Sequence, residues 1–421
     1  MMSILRYIQT FSFVFLILFC TACQDEDPTV IIPPGGNQSG EQGDENQNNN
    51  QNDNIKDVTF LIYMVGENDL AGLLTENVND LMVGLLKTNV DANVLVYADI
   101  SKSPELYYLQ KNNGNVIKRT IKTYPDQYSV DPKVMKDVIT DIVTKYPARK
   151  YAVTFSSHAD GSLYTGNVVQ KRSFGYEGNQ GYGMNITDIR YALSSLPKFE
   201  LIMFDACLMS SIETVYEFKD LTHYFLAAPN SIPGEGFPYD KILPSLLTLN
   251  NQGMSEVASI YMDHYTTNNA EWDNFVSICA SDATKIDSLA IYMDSLFQDE
   301  VISSRPLTIS RNNLQNFENG YPLYDYGHWV DSIGKGSQYL SVVKRMLDKV
   351  VVYKKHNGYT TVNDYTAKLE NPISDERFSG FNTYVHSTSV HSEGAFKQYF
   401  TRLKWYKDAG FWRVPYYSSY K

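Results

Sequence analysis

Two residues of this chain have types that together support nucleophilic chemistry, and each follows a short apolar run. Cys207 comes just after the run at residues 201–204, and His158 just after the run at residues 151–156. Both runs are typical of buried strands, and ligands of open α/β sheets bind at the carboxyl ends of such strands. A cysteine beside a histidine is the arrangement of many acyl-transfer enzymes. The pair predicts a covalent hydrolase, although either residue alone is more often structural, as a buried cysteine or a turn histidine.

The segment after Cys207 predicts a property of its thiol. Residues 208–218 have a helical pattern, so we expect Cys207 at the amino end of a helix. Because the positive end of the helix dipole stabilises a thiolate, we predict a lowered pKa for the Cys207 thiol.

Apolar periodicity predicts alternating strands and helices. Strands are predicted at residues 58–65, 93–98, 151–156, 201–204 and 224–228, with further strands near 275–279 and 380–386. Helices are predicted at residues 70–86, from Asp131-Pro132 onward, from Thr187 onward and at 208–218, and a hairpin is predicted around Asn112-Asn113-Gly114. This alternation predicts an α/β fold whose mostly parallel central sheet is covered by helices on both faces.

The composition excludes several classes of function. The chain has 421 residues, 20% of them charged, and a formal net charge of −12. Nucleic-acid binding normally needs a basic surface, so we expect no nucleic-acid partner. The histidines lack metal-ligand spacings such as H-E-x-x-H, and the chain has neither a P-loop nor a dinucleotide fingerprint, so we predict no metal site.

The amino terminus predicts export and lipid attachment. Residues 11–19 form an apolar run that is too short for a comfortable membrane span, and Ala22-Cys23 follows it. A small residue directly before a cysteine at this place resembles the lipobox of bacterial lipoproteins. We therefore predict a lipoprotein signal peptide at residues 1–22 and lipidation of Cys23, with an ordinary signal peptide as the alternative.

The next segment, residues 23–56, is predicted to be a disordered polar tether, because it has almost no apolar residues. Its acidic residues just after Cys23 resemble a surface-export signal of Gram-negative lipoproteins. We expect an outer-membrane lipoprotein of the cell envelope, exposed at the surface and attached to the membrane through its lipid. After removal of Cys20, Cys207 and Cys279 remain, either as a disulfide or as one reactive and one buried thiol.

Several stretches resemble the clostripain family of cysteine peptidases, which are relatives of caspases, legumains and gingipains. The most specific stretch is Phe204-Asp205-Ala206-Cys207-Leu208-Met209, and the segments at 63–70, 233–239 and 380–386 are supportive. The resemblance implies one peptidase domain over residues 57–421. Its fold would be a caspase-like α/β/α sandwich with a mostly parallel central sheet, plus a C-terminal extension.

The resemblance also implies roles for individual residues. Cys207 would be the nucleophile, His158 its proton-transfer partner, and the backbone amides of Cys207 and Ala159 the oxyanion donors. Asp205 would lie at the base of the substrate pocket and select Arg or Lys before the scissile bond, with a helix N-cap as its alternative role. Relatives usually carry Gly where this chain has Ala159, and Ala would be strained in a loop that needs positive φ.

The segment between His158 and Cys207 contains Lys171-Arg172, which an enzyme selective for basic residues would cut. We predict a zymogen that activates itself by cleavage near Lys171 or Arg172, with a solvated charged loop as the alternative. The resemblance implies no required cofactor and leaves calcium open. We expect a monomeric endopeptidase acting on peptides or proteins with Arg or Lys at the cleavage site. Two alternatives stay open: a catalytically inactive lipoprotein that binds basic peptides, and a cysteine hydrolase of other amides.

Overall fold

The structure is a computed structural model that describes most of the chain after residue 54. The described residues are 55–162, 173–177, 182–267, 275–304, 313–318, 322–363, 368–385 and 399–414. The predictions for Cys23, Lys171 and Arg172, the signal peptide and nearly all of the tether lie outside these ranges.

The strands of the described residues are rich in β-branched and aromatic residues, which suit a pleated and buried surface. In chain order they are β1 (Lys56–Val65), β2 (Ala92–Asp99), β3 (Glu105–Asn112), β4 (Asn115–Thr123), β5 (Ala148–Ser156), β6 (Phe174–Glu177), β7 (Tyr182–Met184), β8 (Phe199–Asp205), β9 (Thr222–Ala227), β10 (Ser277–Asp282), β11 (Leu323–Asp325), β12 (Val351–His356), β13 (Tyr359–Asn363), β14 (Lys368–Pro372) and β15 (Asn382–Tyr384).

Helices connect many of these strands. In chain order they are α1 (Ala71–Lys87), α2 (Pro132–Lys145), α3 (Ile186–Leu193), α4 (Ile212–Phe218), α5 (Tyr239–Leu246), α6 (Asn251–Thr267), α7 (Ile286–Gln298), α8 (Glu300–Ser303), α9 (Tyr326–Ile333), α10 (Leu340–Val350) and α11 (Lys404–Asp408). Within the described ranges, none of the helices is both long and apolar enough to cross a membrane.

A nine-stranded sheet forms the centre of the described structure, with the strand order β12-β10-β9-β8-β5-β1-β2-β3-β4. The five central strands, from β9 to β2 in this order, run parallel to one another. The two strands at each end pair in antiparallel fashion. The predicted parallel sheet therefore forms the centre, and antiparallel strands extend it on both sides.

Hydrophobic cores cover both faces of this sheet. Successive side chains of a strand point to opposite faces, so Phe60 and Ile62 join one core while Leu61 and Tyr63 join the other. Helices α1, α5 and α6 cover the first core, and α2, α3, α4 and α7 cover the second. This layering confirms the predicted α/β/α sandwich.

The predicted C-terminal extension packs behind the helix that follows Cys207. Trp405 of α11 lies edge-on to Tyr216 of α4, with 5.1 Å between the ring centroids. Trp405 and Phe411 belong to the same buried core as α4. The extension therefore completes the core on this face of the sheet.

Two local predictions are confirmed in detail. The hairpin between β3 and β4 turns at Asn113 and Gly114, whose φ angles are 48° and 82°, as a tight hairpin turn requires. Helix α2 begins after Asp131, whose Oδ1 accepts hydrogen bonds from the amides of Lys133 and Val134 at 2.7 and 3.2 Å.

The segment between His158 and Cys207 also contributes the short strands β6 and β7. One other expectation needs correction. The strand predicted at 380–386 is shorter and forms β15, which pairs with β11 outside the central sheet. Gly380 has a φ of 90°, so the chain turns just before this strand.

Candidate active site

The strand order places a crevice at the carboxyl end of the parallel strands. Strand β1 pairs on one side with β2, the next strand along the chain, and on the other side with β5, which follows β4, so the strand order reverses at β1. Ligands of open α/β sheets bind at such a reversal. A cavity of about 390 Å³ lies here, and Asp69, His158, Asp205 and Cys207 are among the residues that line it. The structure thus brings His158, Asp205 and Cys207 together.

The turn after β8 directs Cys207 into this cavity. Leu208 has a φ of 66°, which is uncommon for a residue with a side chain. Its amide donates to the Asn230 carbonyl at 2.9 Å, and its own carbonyl accepts from Nδ2 of Asn382 at 3.0 Å. These two contacts hold the chain out of a helical conformation.

The prediction of a helix at 208–218 is therefore wrong in its first residues. Helix α4 begins at Ile212, and Ser211 caps it by accepting a hydrogen bond from the Thr214 amide at 3.0 Å. Ser211 also takes the N-cap role that we considered for Asp205. Cys207 lies before the helix rather than at its first turn, so the helix dipole does not act directly on the thiol.

The Cys207 thiol lies against the segment after β9. The Ile232 amide donates to Sγ at 3.4 Å, and Sγ lies 3.9 Å from the Ile232 carbonyl oxygen. Burial raises the pKa of the Cys207 thiol to about 11, and the Ile232 amide opposes this shift only in part. The predicted lowering of the pKa is wrong, because Cys207 lies before the helix and desolvation is the largest influence on its thiol. In this state the thiol is neutral at neutral pH.

His158 is held from two sides. Its Nε2 lies 2.7 Å from Oδ1 of Asp69, and its ring packs on the ring of Tyr176 with 5.7 Å between centroids. The Gly175 amide donates to the His158 carbonyl at 2.9 Å, which joins the His158 loop to β6. The hydrogen bond with His158 lowers the pKa of Asp69.

Asp69 is a site residue that our sequence reasoning did not assign. It lies in the segment at 63–70 that carries part of the family resemblance, shortly after β1. Because β1 and β5 are parallel neighbours, their carboxyl ends meet at the same edge of the sheet. A carboxylate just beyond β1 is the sequence signal that points to His158, which follows β5.

Asp205 is buried at the floor of the cavity, with 4% of its surface exposed. Its Oδ2 accepts hydrogen bonds from the Tyr239 hydroxyl at 2.8 Å and from Oγ of Ser156 at 3.3 Å. Its Oδ1 has no hydrogen-bond partner among the described residues. Burial raises the pKa of Asp205 to about 6, and these donors oppose the shift. The carboxylate is therefore mostly charged at neutral pH.

Gly236 packs directly on this carboxylate. Its φ is 70°, and a Cβ at this position would lie 2.5 Å from Oδ1 of Asp205. The Tyr265 hydroxyl fixes the segment by donating to the Gly236 carbonyl at 2.5 Å. Position 236 therefore needs glycine both for its backbone conformation and for the close approach to Asp205.

Ala159 does not adopt a positive φ, so the strain that its side chain could have caused is absent. The left-handed residue of this loop is Gly161, with a φ of 81°. Ala159 lies opposite Phe174 of β6 in an antiparallel bridge. Among the described residues, no backbone carbonyl accepts a hydrogen bond from the amide of Ala159 or of Cys207. Both amides can therefore donate to a ligand.

A second buried carboxylate, Glu177, anchors the other end of β6. Its two oxygens accept from the amides of Ser129 and Val130 at 2.8 and 3.3 Å. Burial and the neighbouring carboxyl group of Asp99 raise the pKa of Glu177 to about 9. Ser129 also donates from Oγ to Oδ2 of Asp99 at 2.6 Å. Glu177 therefore carries a proton at neutral pH and holds β6 to the loop before α2.

The remaining site predictions concern metals and disulfides. No group of three or more His, Cys, Asp or Glu residues within the described ranges is arranged to hold a metal ion. Cys207 and Cys279 are both free thiols, and Cys279 is buried. The alternative of a disulfide between them is therefore wrong.

Comparison with known proteins identifies the family. The model of the clostripain family matches residues 62–414. Clostripain of Hathewaya histolytica is 22% identical, covering 83% of this chain and 79% of clostripain.

Solved structures have the same fold. A secreted C11 cysteine protease from Bacteroides thetaiotaomicron, solved with an irreversible peptide inhibitor, is 29% identical with a TM-score of 0.73, covering 85% of this chain and 99% of that chain. An inactive zymogen C11 protease from Parabacteroides distasonis is 24% identical with a TM-score of 0.72, covering 84% of this chain and 98% of that chain. These similarities, together with the strand order and layers described above, establish the caspase-like fold. The chain belongs to the clostripain family and is a cysteine-type endopeptidase.

Proposed function

We propose that this endopeptidase cleaves peptide bonds after Arg or Lys through a dyad of Cys207 and His158. The observation that carries the proposal is the shared cavity, in which a thiol, an imidazole and a buried carboxylate meet at the ends of neighbouring strands. A nucleophile, a proton carrier and a specificity group are what selective acyl transfer needs.

The proposed reaction uses this chain's own groups at each step. Sγ of Cys207 attacks the carbonyl carbon of the scissile bond, and its proton passes to His158. The amides of Cys207 and Ala159 donate to the oxyanion that forms, since no described backbone carbonyl occupies either of them. His158 then protonates the leaving amine as the C–N bond breaks, which leaves a thioester. A water molecule then attacks the thioester and gives a proton to His158. The C–S bond breaks, and His158 returns the proton to Sγ, which releases the acid and the free thiol.

The raised pKa of Cys207, about 11, bears on this sequence of steps. A thiol that is neutral before substrate binds needs a base at the moment of attack, which makes His158 essential for proton removal as well as for protonation of the leaving group. Loss of His158 should therefore be as damaging as loss of Cys207.

Asp205 supports the proposed preference for basic residues. A buried carboxylate with one unpartnered oxygen gains most from a cation that reaches it, because the site has little water to compete. At neutral pH its charge is retained, since its raised pKa of about 6 is still below 7. The related protease from Bacteroides thetaiotaomicron was solved with a peptide inhibitor, which supports a peptide as the ligand of this cavity.

Activation by cleavage near Lys171-Arg172 is part of the proposal. Arg172 directly precedes Ser173, whose carbonyl accepts a hydrogen bond from the Asp160 amide at 3.1 Å. A cut at this place would free the chain next to the strand that pairs with the His158 loop. Such a cut could change how β6 holds His158 without breaking the core.

We also propose lipid attachment through Cys23 and exposure at the outer membrane of a Gram-negative bacterium, on the basis of the sequence around Cys23. Metabolic labelling with an alkyne fatty acid tests the anchor in cells. Label should enter the wild type and be lost from Cys23→Ser. Equal labelling of both proteins would contradict the proposal, and protease shaving of intact cells would test exposure.

Hydrolysis of fluorogenic peptides ending in Arg-amide or Lys-amide tests the catalytic proposal, with the full-length protein. We expect turnover by the wild type, a loss of about 10³-fold or more in Cys207→Ala and His158→Ala, and little change in the matched variant Cys279→Ala. Lys171→Ala/Arg172→Ala should prevent the appearance of two chains on a denaturing gel. A folded wild type that cleaves neither peptide, with calcium and reductant present, would favour a peptide-binding role instead.

A further inference from the structure

The contact between Asp69 and His158 suggests a role that goes beyond the dyad. We propose that Asp69 positions His158 for catalysis by accepting a hydrogen bond from Nε2–H, so that Nδ1 is the nitrogen that exchanges protons with the thiol and the leaving amine. The inference rests on the proposed function of His158. It adds a positioning residue and assigns the tautomer of the ring.

The first support is the geometry of the ring. Nε2 lies 2.7 Å from Oδ1 of Asp69, a distance typical of a charge-assisted hydrogen bond. A neutral imidazole has one N–H donor and one acceptor nitrogen. Because an ionised carboxylate can only accept, Nε2 carries the proton in this pair and Nδ1 is left as the basic nitrogen. Nδ1 makes no hydrogen bond to any residue in the described part of the chain.

The second support is that the backbone around Asp69 is fixed. Asn68 donates from Nδ2 to the Tyr176 carbonyl at 2.8 Å, and its Oδ1 accepts from the Leu70 amide at 2.8 Å. Tyr176 is also the residue whose ring packs on His158. The segment after β1 and strand β6 therefore hold both Asp69 and His158. This anchoring places the carboxylate reproducibly although its side chain is 83% exposed.

The third support is the charge. An imidazolium forms whenever His158 holds the proton taken from the thiol, and a carboxylate at 2.7 Å stabilises that charge. Solvent weakens this stabilisation because Asp69 is exposed. We therefore expect an effect of about 10-fold on turnover, well below the effect of a buried aspartate in the same role.

An exposed acid at the cavity could instead only attract basic substrates, and kinetics separate the two roles. If Asp69 only attracted substrate, its removal would raise KM and leave kcat unchanged. If Asp69 positions His158, its removal would lower kcat. Asp69→Ala should lower kcat about 10-fold with little change in KM. Asp69→Asn should lose less, because its amide oxygen still accepts from Nε2–H.

Asp91→Ala is the matched control for these variants. Asp91 is an exposed aspartate that pairs with Lys56 at 2.6 Å, and it does not line the cavity. Its removal should leave kcat unchanged. A wild-type kcat in Asp69→Ala would overturn the inference, as would a change confined to KM.

A second measurement does not depend on turnover and so separates failure of the inference from failure of the proposed function. Full-length Cys207→Ala protein with ¹⁵N-labelled histidine is compared by NMR with and without Asp69→Ala, and His158 is assigned through His158→Ala. We expect the ring of His158 to be protonated at Nε2 when Asp69 is present, and to become a mixture of tautomers when it is absent. Protonation of the His158 ring at Nδ1 would overturn the assignment, and so would a His158 spectrum that is the same with and without Asp69→Ala.

Discussion

Asp205 and Glu177 are both buried carboxyl groups near the carboxyl edge of the sheet, but their surroundings give them opposite charges at neutral pH. Asp205 receives hydrogen bonds from the hydroxyl groups of Tyr239 and Ser156, and burial raises its pKa only to about 6. Glu177 has a second carboxyl group, that of Asp99, beside it, and its pKa rises to about 9. The same burial therefore leaves one group charged and the other protonated.

This difference shows how the fold can give the proposed specificity group and a structural group opposite charges. Donors around Asp205 preserve a negative charge that a cationic substrate can neutralise. Protonation of Glu177 removes its repulsion with Asp99, so Glu177 can stay buried and anchor β6. The identity of the neighbouring groups, rather than depth of burial, decides which role a buried carboxyl group can have.

Among the variants that test the difference between Asp205 and Glu177, the one that removes the charge of Asp205 should show the largest effect. In Asp205→Asn the shape is kept, but kcat/KM for Arg and Lys peptides should fall by about 10²- to 10³-fold, because a buried charge contact is lost. A peptide with an uncharged residue before the scissile bond serves as the control and should be affected far less. Equal losses for charged and uncharged peptides would contradict a specificity role.

Gly236→Ala should have the next largest effect. The new methyl group would lie 2.5 Å from Oδ1 of Asp205, on a backbone with a φ of 70°. We expect a loss of about 2 kcal/mol in the free energy of unfolding from the left-handed conformation and the close contact together. Chemical denaturation measures it, and Gly114→Ala is the matched control, since its φ is 82° but nothing lies near its Cβ. Equal losses in both variants would mean that the Asp205 contact adds nothing.

Glu177→Gln should change how stability depends on pH. The pKa of Glu177 is raised from 4.5 to about 9, so between these values the folded protein binds a proton that the unfolded chain releases. The free energy of unfolding should therefore fall as pH rises through this window. Gln mimics the protonated acid, and inside the window the variant should lose up to about 1.4 kcal/mol less than the wild type for each pH unit. Parallel stability curves for the two proteins would contradict the protonation of Glu177 in the folded state.

Tyr239→Phe should have the smallest effect. The Tyr239 hydroxyl stabilises the charged form of Asp205, so its loss should raise the pKa of Asp205 further above 6. In the wild type, KM for an Arg peptide should rise as pH falls below about 6, and in the variant this rise should begin at higher pH. We expect a difference of about 3-fold in KM near this pH. An unchanged KM profile would show that Tyr239 does not tune Asp205.

The fold and the meeting of His158 and Cys207 at one edge of the sheet could be predicted because they follow from local patterns. The apolar runs before His158 and Cys207 are β5 and β8, which are parallel neighbours, so both residues reach the same edge. The family resemblance added Asp205, whose burial fits a pocket floor.

Other features could not be predicted, because they depend on contacts between distant parts of the chain. Leu208 takes a left-handed conformation through contacts with Asn230 and Asn382, which no local pattern of residues 208–218 reveals. The raised pKa of the Cys207 thiol follows from the burial that this turn imposes. Likewise, Glu177 lies in a glycine-rich segment, and its protonation depends on Asp99 at the end of a different strand.

The charges on the two outer strands of the central sheet affect how readily the sheets of two copies could pair edge to edge. Strand β4 is largely exposed and bears Lys118, Arg119 and Lys122, and at the other end β12 presents Lys354 and Lys355 at the surface. A strand of a second copy that paired with either end would bring lysines against lysines. Like charges at an open edge oppose intermolecular sheet growth. The basic side chains of both outer strands therefore oppose edge-to-edge pairing of this sheet with a second copy.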